Sequence, residues 1–170
     1  MIESHTPLSG SQIRTRCCIV GGGPAGLFLG YLLARAGVEV IVLEKHKDFL
    51  RDFRGDTIHP CTLQLLFELG LLDEFLKIAD KHFESLNLNF EGQQIPGPYF
   101  THLPTECKFI TFAPQWDFLN MIASHASEYP NFHLHLQAEA KHLIRDGEHV
   151  IGVKVNGLEG EYEIFSDLVV

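Results

Sequence analysis

The chain has 170 residues, 45% of them hydrophobic, and a formal net charge of −9. That length and apolar content fit one ordinary domain with a real core and exclude a disordered tail, while the scarcity of Lys and Arg argues against nucleic acid or an anionic membrane surface as partner. Cys17, Cys18, Cys61 and Cys107 form no CxxC pair, so no disulfide or zinc framework is expected, and reduced thiols suit a cytoplasmic protein.

The polar opening MIESHTPLSGSQIRT has no apolar core of the signal-peptide kind, and no run of about 18 apolar residues follows, so neither a leader nor a membrane span is expected. Residues 1–14 read as a flexible lead-in. Cys17 to Val20 is a short buried strand closed by glycines. Pro24 suits the first turn of a helix, which Leu27, Leu29, Tyr31, Leu32, Leu33 and Ala36 carry to Gly37. Val38 to Leu43 is a second, almost continuous apolar strand, the pattern of a parallel sheet covered on both faces, so these pieces form a βαβ unit. DTIHPCTLQLLFELGLLDEFLKIAD then holds two short amphipathic helices divided at Gly70.

From 83 to 113 the character changes. LNLNF alternates, EGQQIPGP supplies turn chemistry and CKFITF offers another strand, together an antiparallel excursion. A helix is expected from Gln115 to Ser127. FHLHLQ, HLIRDGEHVIGVKVNG and EYEIF read as strands with turns at Asp146-Gly147 and Asn156-Gly157. SDLVV begins one more buried strand and stops at Val170 without a turn or cap, which predicts the front part of a longer protein and an unfinished sheet that invites self-association.

The chemistry concentrates at CIVGGGPAGLFLGYLLARAG. Gly21-x-Gly23-x-x-Gly26 lies at a strand-to-helix junction: the first glycine permits the tight turn, the second lets a pyrophosphate reach the main chain, and the third lets helix pack on strand. Pro24 and Ala25 complete the loop, and the helix N-terminus turns its free N–H groups toward phosphate. Glu44 ends the second strand 18 positions after Gly26, near the spacing at which an acidic side chain accepts from the adenosine ribose hydroxyls; Lys45 follows it. The plainer alternative is a structural turn with Glu44 solvated at a strand end. A carboxylate here disfavours a 2′-phosphate and leaves FAD or NAD.

IVGGGPAGLFLGYLLARAGVEVIVLEK, RGDTIHPCTLQLLFELGLLDEF, PQWDFLNMIASHA and SDLVV together resemble the FAD-dependent monooxygenases of the p-hydroxybenzoate hydroxylase type, over roughly Arg16 to Val170. The resemblance implies a Rossmann-like α/β FAD-binding domain. By position it places Arg54 at the arginine that reaches FAD, Gln115 at the glutamine on the ribityl chain, and Ala140 where backbone meets adenine. A guanidinium suits phosphate or flavin oxygens, and an amide both donates to and accepts from hydroxyls. The plainer readings are an ion pair of Arg54 with Asp52 or Asp56, and a polar helix start at Gln115. Asp56 departs from the glycine that some family members carry there.

On the same basis residues 15–82 form the FAD-binding βαβ unit and its following helices. Residues 83–113 begin the substrate-binding layer, and 114–170 continue the FAD domain. The implied reaction uses NAD(P)H and O2 to hydroxylate a small aromatic substrate through a flavin C4a-hydroperoxide. The cofactor carries the hard chemistry, in keeping with the absence of any protein nucleophile motif. The rival readings are another FAD-superfamily oxidoreductase (reductase, oxidase or halogenase) and a nucleotide-binding piece without turnover of its own. His133 and His135 alternate on one strand face and read as a solvent-facing pair rather than a metal site. His59 shapes the turn before Pro60, and Cys17 and Cys18 read as strand filler.

Overall fold

A computed structural model describes residues 7–50, 57–79 and 81–170. In chain order the elements are β1 (Gln12–Val20), α1 (Pro24–Arg35), β2 (Val40–Glu44), β3 (Thr57–Ile58), α2 (Pro60–Glu68), α3 (Leu72–Ile78), β4 (Lys81–Phe83), β5 (Ser85–Phe90), β6 (Gln93–Tyr99), β7 (Ile110–Phe112), α4 (Gln115–Ala126), β8 (Phe132–Leu136), β9 (Glu139–Asp146), β10 (His149–Gly157) and β11 (Gly160–Val169). They fall into two units, one of residues 1–50 with 119–170, the other of residues 51–118.

The first unit is built on a six-stranded sheet of order β8-β2-β1-β11-β10-β9. The first four strands of that order run parallel, and β10 and β9 return antiparallel. Every residue of β2 is buried, because both of its faces are covered. On one face α1 packs so closely that a Cβ on Gly30 would lie 2.7 Å from Val42 Cγ2 and 3.0 Å from Phe132 Cε2. On the other, Ile41 and Leu43 join Cys18, Val153, Val155, Tyr162 and Ile164 in one core. Gly37, at φ +80°, closes α1 in the left-handed conformation that ends many helices.

Three boundaries differ from the sequence reading. β1 begins at Gln12, inside the stretch read as a lead-in, since Gln12 to Thr15 already pair with Glu163 to Ser166. EYEIF and SDLVV are one strand, because no Gly, Pro or Asn interrupts them and β1 pairs across their junction from Glu163 to Val169. The two hairpin turns sit later than read, the first by one residue and the second by two: Asp146 pairs with His149 and Gly157 with Gly160, leaving Gly147-Glu148 and Leu158-Glu159 as the connecting pairs.

The second unit has a three-stranded sheet β3-β7-β4 and a separate β5-β6 ribbon. Leu63, Leu66, Phe75, Ile110 and Phe118 are buried in it, with Phe75 edge-on to Phe118. Gly70, at φ +75°, separates α2 from α3 as expected. In EGQQIPGP only Glu91 and Gly92 form the turn, at φ +48° and +82°, the paired left-handed geometry of a tight hairpin. The rest is strand β6, whose Pro96 is tolerated because a two-stranded ribbon is all edge. Among the described residues no helix is long and apolar enough to cross a membrane.

Candidate functional site

Each glycine of the fingerprint has its own physical reason. Gly21 stands at φ +122°, a conformation open to glycine alone in practice, and its N–H donates to Leu43 O at 2.8 Å, tying the loop to β2. A Cβ on Gly26 would meet Gly21 O at 2.0 Å, so this glycine lets α1 close onto the end of β1. Gly23 is different: extended at φ −74° and ψ −177°, it caps α1 with no side-chain hydrogen bond, and a Cβ there would meet nothing within 4 Å. Packing does not require a glycine at Gly23. Open space before a helix N-terminus that its own N-cap residue leaves without a side-chain cap fits an anionic pyrophosphate. Pro24 and Ala25 are exposed beside it.

Glu44 closes the other side of this loop. It is the last residue of β2 and only 8% exposed, so it is not the solvated strand-end residue of the plainer reading. Its Oε2 accepts from the Gly22 N–H at 3.1 Å, and its Oε1 accepts from the His46 N–H at 2.9 Å with His46 Nδ1 beside it at 2.5 Å. A Cβ on Gly22 would lie 2.9 Å from Glu44 Cβ, so the second of the three consecutive glycines makes room for the carboxylate. The structure thus brings Gly21, Gly23, Pro24, Ala25, Gly26 and Glu44 together.

The other candidates are placed less directly. Lys45 is exposed, and its charge, behind the closer Lys141 ammonium, helps hold the Glu139 carboxyl below its ordinary range. Ala140 is half-buried on β9 opposite Val155, against the core of the first unit. Gln115 opens α4 as expected and is half-buried in the second unit. Arg54, with Asp52 and Asp56, lies outside the described residues. A cleft of about 650 Å³ lined by Arg14, Arg16, Glu39 and His149 shares no residue with the fingerprint, and Asp167 already pairs with Arg16 there.

The histidine pair requires a correction. His135 is 4% exposed, with Nδ1 3.0 Å from the Tyr162 hydroxyl. The face of β8 read as solvent-facing is covered at that point by a side chain from β11, a strand distant in sequence. Cys17 and Cys18 are buried in β1 as read. Among the described residues no group of three or more His, Cys, Asp or Glu side chains could hold a metal ion. Sequence reasoning passed over Gly22 and His46. The first had a signal, a glycine where the fingerprint asks for none; the second had none beyond standing two positions after Glu44.

A family model described as "FAD binding domain" matches residues 14–170. Among curated relatives, the 6-methylpretetramide 4-monooxygenase of Streptomyces rimosus is 28% identical over 92% of this chain and 37% of its own length. Among solved structures, p-nitrophenol 4-monooxygenase from Pseudomonas putida superposes with TM-score 0.81 at 25% identity, over 94% of this chain and 40% of that one. A myxobacterial chondrochloren halogenase shares the fold, with TM-score 0.79 at 22% identity over 92% of this chain and 36% of its own. The chain therefore spans about two fifths or less of the proteins it matches.

Proposed function

We propose that this chain, which belongs to the FAD binding domain family, holds the cofactor of a flavin-dependent monooxygenase that uses NAD(P)H and O2 to hydroxylate a small aromatic substrate. The observation that carries the reading is the junction of β1 and α1, where the open space at Gly23 faces an uncapped helix N-terminus and Glu44 stands buried at its side. Main-chain amides at Ala25 and Gly26 would hold the pyrophosphate, and Glu44 would accept from the ribose hydroxyls. Lys45 and Ala140 belong to the adenosine side. Arg54 and Gln115 belong to the flavin side by their positions in the motif.

When bound, FAD supplies the redox and oxygen chemistry; the chain binds it, orients it and screens its phosphates. On this reading residues 15–82 and 114–170 form the FAD-binding part and 83–113 begin the layer that meets substrate. The protein works in the cytoplasm without nucleic acid, and exposed edge strands such as β9 favour self-association.

Binding is tested by fluorescence titration with FAD. Glu44→Ala should weaken it by about 1–3 kcal/mol, as for loss of hydrogen bonds to a charged acceptor; unchanged affinity in a folded variant would reject the role of Glu44. The reaction is tested in the whole protein by phenol-stimulated NAD(P)H oxidation with analysis of the product. A chlorinated product, or oxidation without substrate dependence, would move the assignment to another branch of the fold.

A further inference from the structure

We infer that His46 is a positioning residue for the Glu44 carboxylate and thereby sets the affinity of this site for an adenine nucleotide with free ribose hydroxyls. The inference rests on the reading of Glu44 as the ribose acceptor. A carboxylate of this kind only accepts hydrogen bonds, so the imidazole nitrogen beside Glu44 Oε1 carries a proton and donates. With the His46 N–H on the same oxygen and the Gly22 N–H on the other, the carboxylate bridges the fingerprint loop and the turn after β2.

The turn that carries His46 is itself anchored. His46 O accepts from the Gln137 N–H at 2.9 Å, and Glu44 O accepts from the Ala138 N–H at 2.9 Å. Gln137 stands at φ +54°, a conformation few residues other than glycine adopt, and one that places two successive amides for these bonds. The His46 main chain is thus fixed on both sides, and its contact with Glu44 differs from a loose surface ion pair between two long side chains.

The described lysines nearby have contacts of their own. Lys45 acts on Glu139, Lys141 bonds Glu139 at 2.6 Å, and Lys47 lies 4.0 Å from Asp48. Loss of the imidazole would take one donor from Glu44 Oε1, and an incoming ribose would have to restrict the carboxylate's rotation to that extent.

The test uses ADP and 2′,3′-dideoxy-ADP as probes on the protein and on His46→Ala, His46→Asn and Glu44→Gln. His46→Ala should bind ADP about tenfold more weakly, bind the dideoxy nucleotide as the parent does, and have no further effect in the Glu44→Gln background. His46→Asn, which returns a side-chain N–H near the same place, should recover most of the loss. Equal weakening toward both nucleotides, or no weakening in His46→Ala while Glu44→Gln loses ADP affinity, would overturn the role of His46 alone. Unchanged ADP affinity in Glu44→Gln would overturn the ribose reading and the inference with it.

Discussion

A Cβ on Gly26 would lie 2.0 Å from the carbonyl oxygen of Gly21, whereas one on Gly23 would have no neighbour within 4 Å. The two glycines of one motif therefore answer to different pressures. Gly26→Ala should lower unfolding free energy by about 3 kcal/mol, since backbone cannot yield to a methyl as a side chain can. Gly23→Ala should leave stability within about 0.5 kcal/mol of the parent yet lower FAD affinity at least about tenfold. Urea denaturation beside FAD titration separates the two; a Gly23→Ala protein that keeps its FAD would remove the pyrophosphate from this spot.

The His135–Tyr162 contact predicts a stability effect with no counterpart at the cofactor site. Tyr162 is 2% exposed and its hydroxyl lies 3.0 Å from His135 Nδ1. Tyr162→Phe keeps the ring and its packing but deletes one partner of a buried polar pair, a loss of about 1–3 kcal/mol. Tyr99→Phe, at a side chain 52% exposed, is the control and should change nothing measurable. Equal midpoints for the two variants in urea would show that the hydrogen bond contributes no net stability.

Local pattern made the βαβ unit legible: apolar runs at β1 and β2, Pro24 and Gly37 bracketing α1, and glycines at the junction each impose a conformation that nearby residues decide. Glu44 was legible for the same reason, since fingerprint spacing is local geometry. What escaped depends on residues far apart in the chain. His135 reads as a surface residue until Tyr162 covers it from β11, and SDLVV reads as a separate strand until its pairing with β1 is known. The bond from His46 to Glu44 likewise depends on Gln137 and Ala138 anchoring the turn, and no periodicity in the sequence records that.

Thiol reactivity gives a direct reading of burial. Cys61 is exposed near the start of α2, while Cys17, Cys18 and Cys107 are buried, and burial pushes each of those three thiols up. Since thiolate is the reactive form and must be reached by reagent, the native protein should titrate one fast thiol with a disulfide reagent and the rest only on unfolding. Cys61→Ser should abolish the fast phase. A second fast thiol would contradict the burial of β1 or of Cys107.

The same buried thiols set an alkaline limit on the first unit. Burial, with the Cys17 thiol beside it, pushes Cys18 from 9.0 up to about 12, and burial also pushes the Tyr162 hydroxyl upward from 10.0. In the unfolded chain both groups ionise at their ordinary values, so between about pH 9 and 12 the folded state binds more protons than the unfolded one, and stability falls as pH rises. At about 1.4 kcal/mol for each pH unit of displacement, Cys18 alone accounts for a loss of up to about 4 kcal/mol across that window, and for no loss below it. Unfolding free energies from urea titrations at neutral pH and at about pH 10.5 should therefore drop steeply for the parent and less steeply for Cys18→Ala, which has no thiol to ionise. Parallel slopes for the two proteins would mean that Cys18 ionises as easily in the fold as outside it, and that β1 is open to water.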